Sequence, residues 1–162
     1  MKYVEALDEL DVAQWGEKTL FLGGGITNCA NWQNEMCQLL KDTDLTILNP
    51  RRKHFPMDDP NAATAQIIWE YKHLNMAKAI MFWFSPETLC PITLFEYGKW
   101  LVRSGTEVRA ARRKLFVGCH PNYARLLDVK VQTALERPNQ LVHTDLNSLA
   151  EEIKDWAKYE SE

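Results

Sequence analysis

Ala79–Phe84 reads AIMFWF, six consecutive apolar residues with no polar residue between them. An amphipathic surface strand alternates apolar and polar side chains, and a membrane span needs ~20 apolar residues. A short unbroken run fits neither. It predicts a strand buried on both faces, which is the environment of a parallel sheet covered by helices on each side.

The rest of the chain supplies the partners such a strand needs. TLFLG at Thr19–Gly23, the run Leu45–Leu48 stopped by Asn49-Pro50, and KLFVG at Lys114–Gly118 read as further strands; Gln140–His143 is a short fifth. Helical patterns fill the intervals: Asn31–Lys41 with Trp32, Met36, Leu39 and Leu40 on one side, Ala62–Ala77, Pro91–Arg103 with proline in its first turn, Tyr123–Leu135 and Leu146–Tyr159. Strands alternating with helices predict right-handed βαβ units. The expectation is a single doubly wound, flavodoxin-like α/β domain over residues 1–162, with a mainly parallel five-stranded sheet. A chain of 162 residues suits one core of that size.

Charge and cysteine content narrow the function. The net charge of −3 argues against a nucleic-acid partner, which calls for a basic face. The longest basic cluster, Arg109–Lys114, reads as a solvated loop. Met1–Leu10 is acidic and has none of the apolar stretch of a secretory leader. Cys29, Cys37, Cys90 and Cys119 form no CxxC pair. The chain is therefore expected to be cytoplasmic, with reduced thiols and no membrane partner.

In doubly wound sheets ligands bind beyond the carboxyl ends of the strands, where strand order reverses. That rule selects the loops Gly23–Asn28, Asn49–Asn61, Ser85–Pro91 and Cys119–Tyr123. Gly23, Gly24 and Gly25 allow close backbone approach to a ligand and offer N–H groups; a tight structural turn explains them as well. The G-x-G-x-x-G pattern is incomplete, because position 28 is Asn. Arg51 and Arg52 are suited to grip a phosphate or carboxylate, or belong to a solvated loop. His120 beside Cys119 lacks a second ligand pair at metal spacing, so no metal and no cofactor is expected. Trp32, Trp69, Trp83 and Trp100 fit a core better than a base-stacking platform.

Two carboxylates stand out. Glu96 lies within about two turns of a helix start, where the helix dipole favours an anion. Gly98 beside it costs a helix ~1 kcal/mol relative to alanine, which points to close approach of a ligand or a strand. Glu70 follows Ile67, Ile68 and Trp69, so it faces either water or a ligand crevice. A solvated helix position fits each glutamate taken alone.

Taken together, the segments FLGGGI, Trp32-Gln33, NPRR at Asn49–Arg52, Trp69-Glu70, FWFSPETLCPITLFEYGKW and VGCHPNYARLLDVKVQ resemble the nucleoside 2-deoxyribosyltransferase-like family. The resemblance runs from about Leu20 to Pro138. It implies N-glycosyl transfer by attack of Glu96, in Glu96-Tyr97-Gly98, on the anomeric carbon of a nucleoside or nucleotide; hydrolysis of a nucleoside monophosphate or NAD, and noncatalytic nucleotide binding, are the alternatives. It also implies assistance at the base by Glu70, and a homo-oligomer. Trp32, Gln33, Cys90, Pro91, Gly98 and His120 join the glycine turn, Asn28, Arg51 and Arg52 as expected substrate neighbours. The sequence departs from the family pattern at Phe21, where a tyrosine is usual, at Cys90, where an aspartate or serine is usual, and at Ala77-Lys78, where Ala-Asp is common.

Overall fold

The computed structural model describes residues 1–11, 18–106 and 113–159. Of the basic cluster Arg109–Lys114, positions 109–112 lie outside the described residues. Among the described residues the strands are β1 (Lys2–Glu5), β2 (Thr19–Gly24), β3 (Thr46–Asn49), β4 (Ala79–Phe84), β5 (Lys114–Cys119) and β6 (Val142–His143). The helices are α1 (Trp32–Leu39), α2 (Ala62–Met76), α3 (Pro91–Thr106), α4 (Leu126–Glu136) and α5 (Leu146–Tyr159).

The sheet has six strands rather than five, in the order β1-β3-β2-β4-β5-β6, and every pairing is parallel. Its last five strands carry the flavodoxin-like order. The additional strand, β1, lies at the edge in register with β3, Val4 opposite Leu48. Only Val4 of its four residues is buried. An edge strand needs one inward side chain and no apolar run, so its sequence carries almost no strand signal.

AIMFWF shows how the sheet is covered. All six of its residues are buried. Ile80, Phe82 and Phe84 face a core shared with Trp69 of α2, Tyr97 and Trp100 of α3 and Val129 of α4. Ala79, Met81 and Trp83 face the other core, with Trp32 and Met36 of α1 and Leu149 and Ile153 of α5. The two-residue period of the strand thus feeds two helical layers. The four tryptophans named above are all buried, as a core role requires.

The chain leaves β2 toward β3 on one side and later returns to β4 on the other. The reversal of strand order therefore lies between the carboxyl ends of β2 and β4.

Candidate active site

A cavity of about 390 Å³ opens at that reversal. That is room for a ligand of nucleoside size. Its floor is Phe21 of β2 and the turn Gly23–Thr27; its walls are Pro50 after β3, Thr88, Cys90 and Pro91 before α3, Ile67 and Glu70 of α2, and Ile92, Thr93 and Glu96 of α3.

Glu96 and Glu70 reach the cavity from different helices. Burial, reinforced by the charge of Glu70, lifts the Glu96 carboxyl to about 7, with Lys99 opposing the rise. Burial also raises Glu70, against the hydrogen bond that it accepts from Gln66. Two carboxyl groups that influence one another in this way do not ionise independently. No lysine, arginine or histidine is among the described residues lining the cavity.

The glycine turn is shaped by protein as much as by any ligand. A Cβ on Gly25 would stand 2.5 Å from Cys29 Sγ and 2.6 Å from Cys90 Sγ; a Cβ on Gly24 would overlap the indole of Trp32. Both positions require glycine for space, since no glycine here has positive φ. Trp32 Nε1 donates to the Gly25 carbonyl at 2.9 Å, and Gln33 Nε2 donates to it at 3.2 Å. Trp32 and Gln33 therefore brace the turn from behind and do not line the cavity. Asn28, also outside the lining, takes the left-handed conformation (φ 56°) that lets the chain turn back toward α1.

Cys90 adopts φ 45° just before α3. Its N–H donates to Thr88 Oγ1 at 3.2 Å, and its carbonyl accepts from Leu94 N at 3.0 Å, which opens the helix that carries Glu96. Pro91 occupies the first helical position, where its missing N–H leaves no bond unmade.

Four more expected substrate neighbours lie outside the lining. Arg51 donates to the carbonyls of Ala30 at 2.8 Å and Cys29 at 3.1 Å, and to Gln33 Oε1 at 3.1 Å. Its guanidinium holds the β2–α1 loop and lines a separate polar groove with Arg52. Arg52 stacks over Phe55. Both arginines follow β3, and the segment turns toward the β1 edge, so only Pro50 reaches the cavity. His120 accepts from the Asn122 N–H through Nδ1 and is not in the lining. The β5 exit acts one step removed: Tyr123 Oη donates to the Leu89 carbonyl at 2.8 Å and steadies the loop before α3. Gly98 is exposed, and a Cβ there would meet nothing within 4 Å. No neighbouring strand requires it.

The elements that build this cavity lie inside a longer likeness. Residues 17–123 match the model of the nucleoside 2-deoxyribosyltransferase-like family. The chain belongs to that family. Among curated proteins, none matches the sequence. The family match takes in β2 through β5, and so every residue that lines the cavity. α4, β6 and α5 complete the two cores beyond it.

Residues that the sequence reading did not single out also reach the site: Pro50, Ile67, Thr88, Ile92 and Thr93 in the lining, and Gln66 behind Glu70. Gln66 had a signal, since it precedes Glu70 by one helical turn. The threonines had none, because nothing local separates a lining threonine from a solvated one.

Among the described residues, no group of three His, Cys, Asp or Glu side chains is arranged to hold a metal ion, and no helix is long and apolar enough to cross a membrane.

Proposed function

We propose that this chain catalyses N-glycosyl transfer on uncharged 2′-deoxynucleosides, with Glu96 as the attacking carboxylate and Glu70 as the acid that serves the base. The observation that carries this reading is the meeting of Glu96 and Glu70 in one cavity whose described lining holds no cationic side chain. The chemistry follows from the pair. An N-glycosidic bond breaks through a transition state with positive charge at C1′. As C1′–N lengthens, a Glu96 oxygen closes on C1′ and traps the sugar as an ester. The bonding pair leaves with the base nitrogen, which takes a proton from Glu70. Positive charge growing beside Glu96 favours its anion, and the proton that the base takes is the one carried by Glu70. A second base then attacks C1′ from the side that the first one left. It returns a proton to Glu70 and frees Glu96.

The absence of a cation among the described lining residues supports a nucleoside over its 5′-monophosphate, because a dianionic phosphate has nothing there to neutralise it. Arg51 does not alter this, since three oxygens already engage it. Hydrolysis is the same reaction with water as acceptor.

The chain also assembles with copies of itself in this reading. Ile67 and Ile92 line the cavity and yet are 64% and 66% exposed. Apolar side chains at the rim of a polar reaction support a neighbouring subunit as their cover.

Incubation with a 2-fluoro-2-deoxynucleoside, followed by peptide mass spectrometry, tests the assignment. A glycosyl adduct on Glu96 is expected. An adduct on Glu70, or release of base by Glu96→Gln at the wild-type rate, refutes it.

A further inference from the structure

We propose that Gln66 is the positioning residue of the site, holding Glu70 in place from the Pro50 carbonyl. This rests on the reading of Glu70 as the acid of the reaction.

The geometry is specific. Gln66 Nε2 donates to the Pro50 carbonyl at 2.6 Å and to Glu70 Oε1 at 2.7 Å. A backbone carbonyl can only accept, so the atom facing Pro50 must be the amide nitrogen. Turning the amide over would set Oε1 against the Pro50 carbonyl, acceptor against acceptor. The orientation of the side chain is therefore fixed by lone-pair count and is not a matter of choice. Both Nε2 hydrogens are then used. Gln66 Oε1 is buried and has no hydrogen-bond partner among the described residues. A buried amide oxygen without a partner is unfavourable, and the two bonds of the nitrogen are what offset it.

Two consequences follow for Glu70. Its Oε1 is occupied as an acceptor, so the proton of the acid form is carried on Oε2. A single oxygen then delivers the proton, in one direction. A donor aimed at the carboxyl also favours the anion and works against burial. The donor thus limits the rise that burial imposes on the Glu70 carboxyl. Pro50 and Glu70 both line the cavity. The amide between them ties the end of β3 to α2 at the point where the base would leave.

The test is a titration read separately from turnover. Protein labelled with 13C at the glutamate carboxyl is titrated by NMR, and the Glu70 signal is assigned by its loss in Glu70→Gln. Gln66→Met keeps the length of the side chain and removes the donor. It should raise the Glu70 midpoint by about one pH unit and lower kcat about tenfold or more, with KM changed less than about threefold. Should Gln66→Met not fold, Gln66→Leu gives the same reading, since it removes the donor without adding a charge beside Glu70. An unmoved Glu70 midpoint in a folded variant overturns the positioning role. A raised midpoint with unchanged kcat in both Gln66→Met and Glu70→Gln overturns the reading of Glu70 as the acid, and with it the catalytic part of this proposal. The two failures are thereby told apart.

Discussion

The charge of Glu70 acts on Glu96 across the cavity and, with burial as the larger cause, lifts that carboxyl to about 7. The relationship can be measured directly. Glu70→Gln removes the neighbouring charge and leaves the volume nearly unchanged. The Glu96 midpoint should fall toward the ordinary carboxylate range without reaching it, because the burial remains. NMR titration of the labelled Glu96 carboxyl reads the shift; an unchanged midpoint would show that the two groups do not interact.

The same rise has a sign for stability. Glu96 binds a proton more tightly folded than unfolded, so its contribution to stability falls as pH climbs from about 4.5 to about 7 and is constant above. Glu96→Gln abolishes that loss. The variant should therefore be more stable than wild type at pH 8, by about 3 kcal/mol at most, and nearly equal to it at pH 4. Thermal unfolding at the two pH values checks this. A difference of the same size at both would remove the titration argument. A site residue whose replacement stabilises the protein is one held for chemistry rather than for folding.

The contrast between Gly25 and Gly98 gives a third prediction. Gly25→Ala must push aside two buried thiols, those of Cys29 and Cys90, and should cost about 1–3 kcal/mol. Gly98→Ala projects into open space on a helix and should gain up to about 1 kcal/mol. Denaturant unfolding of both variants decides it. If Gly98→Ala abolished activity at full stability, a ligand contact at residue 98 would have to be restored.

These outcomes bear on what the sequence could reveal. AIMFWF announced a doubly buried strand, because burial on both faces leaves no polar position in the run. Lys2–Glu5 announced nothing, since an edge strand buries one residue. That Glu96 and Glu70 would both line the cavity was expected only through the family resemblance, since a solvated helix position fits each taken alone. Gly98 gave no sign of its open surroundings, because helical glycine has the same appearance whether a protein neighbour demands it or none is there. Arg51 was unreadable for a different reason. Its partners are two carbonyl groups on the β2–α1 loop and Gln33 of α1, and a backbone acceptor leaves no trace in sequence. Trp32 and Gln33, which brace the Gly25 carbonyl, were hidden in the same way.

Arg51 also allows a test of substrate charge. If it grips a phosphate, Arg51→Ala should raise KM for a 5′-monophosphate far more than for the nucleoside. The arrangement here predicts the opposite. The variant should lose about 2 kcal/mol of stability from its broken bonds to the β2–α1 loop, while the ratio of kcat/KM between nucleoside and monophosphate stays within about twofold. Steady-state kinetics on the matched pair of substrates distinguishes the two.

Assembly is the remaining point, and two surfaces compete for it. One is α4, where Leu127 and Leu135 stand out to solvent at 74% and 72% exposure. The other is the face of α2 and α3, where Ile68, Tyr71 and Phe95 are exposed beside the cavity residues Ile67 and Ile92. These helices are neighbours, since Lys99 of α3 lies 5.0 Å over the ring of Tyr71 of α2. Covering the second face would also exclude water from the glycosyl ester, which transfer needs and hydrolysis does not. That consequence favours α2 and α3. Ile68→Asp should therefore reduce the particle mass in light scattering and raise the share of base released to water over base exchanged. Ile68 is outside the cavity lining, so a direct effect on substrate is not the cause. Leu127→Asp should leave both quantities near wild type. A wild-type protein that scatters as a monomer at micromolar concentration would defeat the proposed assembly. A mass that falls with Leu127→Asp alone would move the interface to α4 and leave the cavity rim open to solvent.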